Sequence, residues 1–212
     1  MVRDLLDNLI FRQLKAARGD NFAYVIGDRD TKDAAVVDPD GAVTQVKKVL
    51  KDLGLRLVYI VNTHGHSDHT SGNRDLASLP EVKVAAHVDS PIRKDVSLRD
   101  GDTLFVGNVE MRVLHTPGYT RDGICILADG KLMTGDTLFV GECGRTDLAG
   151  GDTEQLYNSL FGKIVKLDDN VEVYPGHDYG PRPSSTIGFE KKNNYTLQPR
   201  TLAEFIDFMS EP

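Results

Sequence analysis

The spacing of apolar residues along the chain predicts strands with helices between them. In the first half, short β-branched and aromatic runs predict strands at 22–26, 34–37, 57–61 and 82–86. Apolar residues three or four positions apart predict a helix at 43–53, which ends at Gly54, and a shorter helix at 73–79. The polar run 27–30 predicts a turn between the first two strands.

The second half continues the alternation. Its apolar runs predict strands at 103–106, 110–114, 124–127, 131–134 and 171–174. Helical spacing predicts a helix at 156–165 and weaker helices at 186–192 and 202–209. This alternation predicts an α/β protein with helices covering sheet on both sides. Since no linker divides the chain, we expect a single domain at 1–212, with a short helical tail at about 185–212.

Charge and cysteine content narrow the class of protein. The chain has 32 acidic and 25 basic residues, a formal net charge of −7. Because this excess repels polyphosphates, we expect no binding to nucleic acid or anionic membranes. Cys125 and Cys143 are too few for a disulfide framework, and we expect Cys143 to be a small buried side chain. Neither a spanning helix nor a signal peptide is indicated, which favours a cytoplasmic protein.

Four side chains with metal-binding chemistry lie within six consecutive positions. Three of the six histidines of the chain are His64, His66 and His69, and Asp68 lies among them. Imidazole nitrogen and carboxylate oxygen suit zinc, iron and manganese. The cluster directly follows a predicted strand, which places it on a loop held by the sheet. Chance clustering in a solvated loop is the alternative, and the density of ligands argues against it.

Two later segments repeat this arrangement. Asp136 and His177 each follow an apolar strand and a glycine, so each strand delivers one potential ligand at its end. Alone, Asp136 would be read as a turn residue and His177 as a surface or core histidine. Together with the earlier cluster, they predict one metal site assembled from three distant stretches of chain.

The run His-Gly-His-Ser-Asp-His at 64–69 resembles the HxHxDH signature of the metallo-β-lactamase superfamily. The resemblance implies a four-layered αβ/βα sandwich with metal ions at one edge of its two sheets. It implies that His64 and His66 bind a first metal. It also implies that Asp68, His69 and His177 bind a second and that Asp136 bridges the two.

Other segments resemble a narrower group. The runs 53–64, 141–147, 174–179 and 185–186 are similar to persulfide dioxygenases. Glyoxalase II enzymes share the metal motifs, but their main form has a longer helical C-terminal region, and only 35 residues follow His177 here. The resemblance therefore implies one or two ions of Fe²⁺ or Zn²⁺. It implies a small thiol derivative as substrate, either glutathione persulfide or an acylglutathione, and a monomer or homodimer.

One position departs from the family pattern. The family places another ligand histidine in an HTPGHT-type segment, where this chain has Tyr119 in His-Thr-Pro-Gly-Tyr-Thr at 115–120. Three outcomes are open: Tyr119 binds metal as a phenolate, His115 replaces it, or the first metal site is weak. In the last case, Asp68, His69, Asp136 and His177 would form one complete site.

These alternatives give three functional hypotheses. The first is an iron-dependent persulfide dioxygenase that yields sulfite and a thiol. The second is a glyoxalase II-like hydrolase in which metal-activated water attacks a thioester. The third is a binding or sensing homologue that lost turnover through Tyr119. We expect Asp68 and Tyr119 to take part in any catalysis.

Four further residues are weaker candidates. Arg145, Arg182 and Lys191 are candidates for binding substrate carboxylates, because such groups need a cation. For Arg145 the preferred interpretation is an ion pair with Asp147 that braces the site loop. His87 has no potential ligand near it in sequence and is interpreted as structural.

Overall fold

Two sheets form the centre of the computed structural model, which describes residues 8–17 and 19–210. The first sheet contains, in spatial order, β1 (Leu9–Lys15), β2 (Phe22–Asp28), β3 (Asp33–Val37), β4 (Arg56–Val61), β5 (Lys83–His87) and β6 (Val96–Leu98). The second contains, also in spatial order, β7 (Thr103–Val106), β8 (Val109–His115), β9 (Ile124–Ala128), β10 (Lys131–Gly135), β11 (Glu172–Pro175) and β12 (Ser185–Thr186). Neighbours along the chain are thus neighbours in each sheet.

Helices cover the outer face of each sheet. They are α1 (Val43–Leu53), α2 (Ser67–Thr70), α3 (Asn73–Leu76), α4 (Thr153–Gly162), α5 (Ile187–Asn193) and α6 (Leu202–Ser210). Two 3-10 helices, Ile164–Lys166 and Tyr195–Leu197, follow α4 and α5. Three apolar clusters lie between these layers: one between the sheets, one under α1 and α3, and one under α4, α5 and α6. This is the four-layered α/β sandwich that the resemblance implies.

Strand direction decides which side chains meet at the sheet edges. β3, β4, β5 and β6 run parallel to one another, and so do β10 and β11. The carboxyl ends of parallel neighbours lie at one edge of a sheet. The residues that follow β3 and β4 therefore lie at one edge of the first sheet, and those that follow β10 and β11 at one edge of the second. The segments after β4, β10 and β11 carry the predicted metal-binding side chains.

Several boundaries differ from the sequence predictions. β1, β6 and α2 were not predicted, and the helix predicted at 156–165 runs from Thr153 to Gly162. It begins earlier because the Asp152 side chain accepts a hydrogen bond from the Gln155 amide at 2.9 Å and caps the helix. Apolar spacing marks only the buried face of a helix, so it misses a polar first turn.

Among residues 8–17 and 19–210, no helix has the length and apolar content needed to cross a membrane. The prediction that the N-terminus is not a signal peptide falls largely on residues 1–7, which lie outside the described residues. Residues 211 and 212 of the predicted tail also lie outside them.

Candidate metal centre

The loop after β4 carries the first potential ligand. The Thr63 hydroxyl donates to Oδ2 of Asp38 at 2.6 Å, and the Asn62 side-chain amide donates to the His69 carbonyl at 3.0 Å. Because these bonds fix the loop on both sides, the His64 ring is held in a buried position. Oγ1 of Thr63 lies 3.1 Å from Nδ1 of His64, which leaves Nε2 of the ring facing inward.

The short helix α2 carries the next two ligands. His69 is 1% exposed, and its Nδ1 lies 2.9 Å from Oδ2 of Asp38. This contact favours a proton on Nδ1, so that Nε2 presents a lone pair. The side chain of Asp68 is 49% exposed, and the Asn21 amide donates to its backbone carbonyl at 2.8 Å. Asp68 therefore lies at the boundary between the site and solvent.

The parallel pair β10 and β11 supplies the remaining ligands. Asp136 follows β10 and His177 follows β11 by two residues. Gly176 is required here, because a Cβ atom at this position would lie 2.4 Å from Oδ1 of Asp136 and 2.9 Å from Cε1 of His69. The glycine that precedes His177 thus permits the close approach of three chain segments.

Five of the predicted ligands converge. Nε2 of His69 lies 3.4 Å from Oδ1 of Asp136 and 3.3 Å from Nε2 of His177. Oδ2 of Asp136 lies 3.4 Å from Nε2 of His177 and 3.9 Å from Nε2 of His64. The donor atoms form two groups, each spanning no more than 4.8 Å: His64, His69 and Asp136 in one, and Asp68, His69 and His177 in the other. His69 belongs to both.

These donor sets fit a metal cation. Nε2 of His64 and Oδ1 of Asp136 are buried without a hydrogen-bond partner among the described residues. Leaving such atoms unsatisfied is costly, and a cation between them would satisfy both. Burial lowers the pKa of His64 well below its ordinary value, so this imidazole is neutral and able to bind metal. Nitrogen and carboxylate donors of this kind suit zinc or iron.

His66 and Tyr119 lie at the side of this cluster. The Tyr119 ring makes edge contacts with His64 and His66, with ring centroids 5.2 Å apart in each case. Burial and the Asp136 carboxylate raise the pKa of Tyr119 well above its ordinary value, which favours the neutral phenol in the metal-free site. His66 belongs to neither donor group. Tyr119 therefore lies next to the buried donor group through its contact with His64, and His66 lies next to Tyr119.

His115 is not brought to the cluster. Its ring stacks on His87 with centroids 3.9 Å apart and planes 8° apart, and Nε2 lies 2.9 Å from the Arg121 carbonyl. His115, at the end of β8, thus packs against the end of β5 in the other sheet. His87 is buried in this stack, in the structural role predicted for it. The hypothesis that His115 replaces the missing ligand has no support from this geometry.

The three basic candidates for substrate binding are already engaged within the protein. Arg145 pairs with Asp147 through two nitrogen atoms, as the bracing interpretation expects. The Arg182 guanidinium lies 3.6 Å from the ring centre of Phe189. Lys191 donates to Asp169 at 2.6 Å. A substrate carboxylate would have to compete with each of these contacts.

Sequence reasoning missed three residues that organise the centre. Asp38 holds both Thr63 and His69, and Asn21 holds Asp68. Tyr179 stacks on His177 with planes 5° apart, while remaining 58% exposed. Asp38 also follows an apolar strand, β3, but no glycine precedes it, so the pattern that marks Asp136 and His177 does not mark Asp38. Asn21 and Tyr179 carry no comparable signal.

Comparison with known proteins agrees with this geometry. The family model of the metallo-beta-lactamase superfamily matches residues 16–91 and 87–177. Human mitochondrial persulfide dioxygenase ETHE1 is 35% identical over 208 residues, covering 95% of this chain and 80% of that protein. The crystal structure of ETHE1 from Myxococcus xanthus has a TM-score of 0.87 at 36% identity and covers 96% of this chain and 92% of its own.

A second kind of relative is also similar. Hydroxyacylglutathione hydrolase of Alkalilimnicola ehrlichii is 42% identical over 167 residues, covering 77% of this chain and 63% of that protein. The ranges matched by the family model include all the residues of both donor groups. The chain belongs to the metallo-beta-lactamase superfamily.

Proposed function

We propose that the protein is a metal-dependent persulfide dioxygenase. In the proposed reaction, a thiol persulfide, oxygen and water give the free thiol and sulfurous acid, which ionises to sulfite. The outer sulfur loses four electrons and leaves its sulfur partner, and dioxygen gains the four electrons. The carrier thiol is proposed to be glutathione or a similar small thiol.

One observation carries the choice of reaction. The relatives named persulfide dioxygenase match this chain over 95–96% of its length and over 80–81% of their own. The named hydrolase is more identical over a shorter stretch, and this chain covers only 63% of it. Similarity over the whole molecule, including the C-terminal segment after His177, supports the dioxygenase.

The donor groups indicate which side chains would hold the metal. His64, His69 and Asp136 form the fully buried group, which suits iron because two imidazoles and one carboxylate leave positions open. Bound Fe²⁺ would supply the redox chemistry that joins oxygen to sulfur. The partly exposed group of Asp68, His69 and His177 offers a second site. Since His69 belongs to both groups, we propose one principal ion.

Side chains around these donors would bind and orient the substrate. Tyr119 presents a neutral phenol next to His64 and is proposed to donate a hydrogen bond to the substrate or to oxygen. Tyr179 offers an exposed aromatic face beside His177, which suits the apolar part of a thiol carrier. Asp68 is open to solvent and is proposed to orient water at the centre.

The test is reconstitution with iron under anaerobic conditions, followed by oxygen uptake with glutathione persulfide. We expect uptake matched by sulfite, and its loss in Asp136→Ala. Asp33→Asn is a control, because Asp33 pairs with Arg56 on the surface, away from the donor groups. No oxygen uptake from protein shown to contain iron would refute the proposal.

A thioester hydrolase is the second candidate. The hydroxyacylglutathione hydrolase relative and the donor group Asp68, His69 and His177 favour it, because such a set suits zinc that activates water. The zinc-loaded protein would then cleave S-lactoylglutathione. If the dioxygenase proposal is correct, this cleavage is absent or far slower than persulfide oxidation, and iron rather than zinc accompanies the purified protein.

A further inference from the structure

A second cavity lies outside the metal centre. It has a volume of about 650 Å³ and lies between α3 and the segment that joins β5 to β6. The side chains of Ala77, Val82, Val84 and Ile92 give it an apolar lining, and the last three belong to the outer apolar cluster of the first sheet. None of the five converging metal-binding residues lines it. Its size is that of a small-molecule site.

Two arginines from different elements line this cavity. Arg74 belongs to α3, and Arg93 belongs to the segment after β5. Both are exposed, and neither guanidinium has a hydrogen bond or ion pair with another described residue. By contrast, Arg56 and Arg145 each pair with an aspartate.

The nearby acidic group forms no ion pair with either arginine among the described residues. Asp95 also lines the cavity, but its Oδ2 accepts a hydrogen bond from the Val84 backbone amide at 2.9 Å. This bond holds the carboxylate against β5. The chain has a net charge of −7, whereas this cavity is lined by two unpaired guanidinium groups and one carboxylate, so the charge of its lining is positive. They leave strong donors available for an anion.

We propose that this cavity binds a small organic anion, with a phosphate or carboxylate head and an apolar body. Each guanidinium offers parallel N–H donors that match the oxygens of either head group. The apolar body would lie on the side chains of Val84 and Ile92. Phosphate and carboxylate share this chemistry, and the experiment distinguishes them.

The test is calorimetric titration of the metal-loaded protein with phenyl phosphate, phenylacetate and inorganic phosphate. We expect one of the two aromatic anions to bind, and inorganic phosphate to bind more weakly because it lacks the apolar body. Arg74→Ala and Arg93→Ala should each weaken binding about tenfold, and the double variant should abolish it. Arg112→Ala is the matched control, because Arg112 is an exposed arginine on β8 in the other sheet.

The variants are expected to fold normally, since both arginines are exposed and neither guanidinium has a hydrogen bond or ion pair to another described residue that would be lost. An unchanged melting temperature checks this. The proposal is wrong if neither aromatic anion binds, if the double variant binds as tightly as the wild type, or if Arg112→Ala weakens binding equally. It is also wrong if binding depends on the metal but not on Arg74 and Arg93, because the anion then occupies the metal centre.

Discussion

Oδ2 of Asp38 lies 2.9 Å from Nδ1 of His69, and both side chains are buried. The other ring nitrogen, Nε2, faces Asp136 and His177. Asp38 therefore orients the one imidazole that belongs to both donor groups. The same carboxylate accepts hydrogen bonds from the Thr63 amide and hydroxyl, so it also fixes the loop that carries His64.

Replacing this carboxylate tests its role. We expect Asp38→Asn to weaken metal binding about 10- to 100-fold, because the charge that aligns the His69 ring is lost. Competition with a chromogenic chelator measures this affinity. Asp33→Asn, at the opposite end of β3, should leave it unchanged. An unchanged affinity in Asp38→Asn would show that the ring is oriented by other contacts.

The glycine next to His177 gives a second prediction. Gly176→Ala would place a methyl group 2.4 Å from Oδ1 of Asp136, so the strand end must move away from the centre. We expect loss of most bound metal, measured by elemental analysis after dialysis. Gly162→Ala is the matched control, since no atom lies within 4 Å of its added Cβ. Full metal content in Gly176→Ala would mean that the strand end moves to accommodate the methyl group without loss of metal binding.

The sequence predicted the ligand-bearing strands well because their pattern is local. An apolar strand followed by glycine and then Asp136 or His177 is visible without a structure, and parallel pairing of β10 with β11 places the two ends together. Asp38 follows β3 in a similar way, but Pro39 and Asp40 after it are equally typical of a turn. Its role depends on pairing of β3 with β4, which the local pattern does not reveal.

Other features depend on contacts between distant segments. Sequence leaves three outcomes open at Tyr119, and the stacking of His115 on His87 argues against one of them, metal binding by His115. The walls of the cavity that Arg74 and Arg93 line come from a helix and from a later loop. Because these segments are separate in sequence, no local pattern predicts the cavity. β1 was missed because its polar residues interrupt the apolar run, and its seven-residue pairing with β2 defines it.

The buried carboxylate of Asp28 predicts a pH-dependent contribution to stability. It accepts hydrogen bonds from the backbone amides of Asn108 and Asp30 and from the Thr31 hydroxyl, linking the first sheet to the turn between β7 and β8. Burial alone would raise the pKa of Asp28, but these donors lower it below the ordinary value. The stabilisation is therefore present above the unfolded pKa of about 3.9 and is lost as the pH falls through the lower folded pKa.

Asp28→Asn tests this linkage. We expect the free energy of unfolding to fall by about 2 kcal/mol at pH 7. The difference from wild type should shrink below about pH 4, where the wild-type carboxyl becomes protonated. Urea unfolding of metal-free wild type and variant at several pH values measures both effects. If the difference in free energy of unfolding stays constant from pH 7 to pH 3, the destabilisation comes from altered packing or hydrogen-bond geometry and not from the charge of Asp28.

Both cysteines are expected to be inert in the folded protein. Burial raises the pKa of Cys125 to about 11 and that of Cys143 to about 12, so thiolate is scarce at neutral pH. A colorimetric disulfide reagent at pH 8 should react with neither thiol in native protein and with both in urea. Rapid reaction of either thiol in the native protein would show that this thiol is accessible and reactive, contrary to the prediction.

Substitution of Tyr119 tests whether the departure from the family pattern at this position has a function. Its ring lies 5.2 Å from those of His64 and His66, so a histidine at this position would face the buried donor group. We expect Tyr119→His to bind Fe²⁺ on the order of tenfold more tightly, because a further imidazole joins His64 and Asp136. Chelator competition measures the affinity. An unchanged affinity would show that this side chain does not face the metal.

Activity then separates the remaining hypotheses. If the phenol takes part in turnover, both Tyr119→His and Tyr119→Phe lower persulfide oxidation at full iron loading, although only the histidine variant binds iron more tightly. If Tyr119 instead abolished an ancestral activity, the wild type is inactive and Tyr119→His restores oxygen uptake, while Tyr119→Phe does not. We expect the first result, because the neutral phenol lies within the centre and supplies a hydrogen-bond donor that phenylalanine lacks.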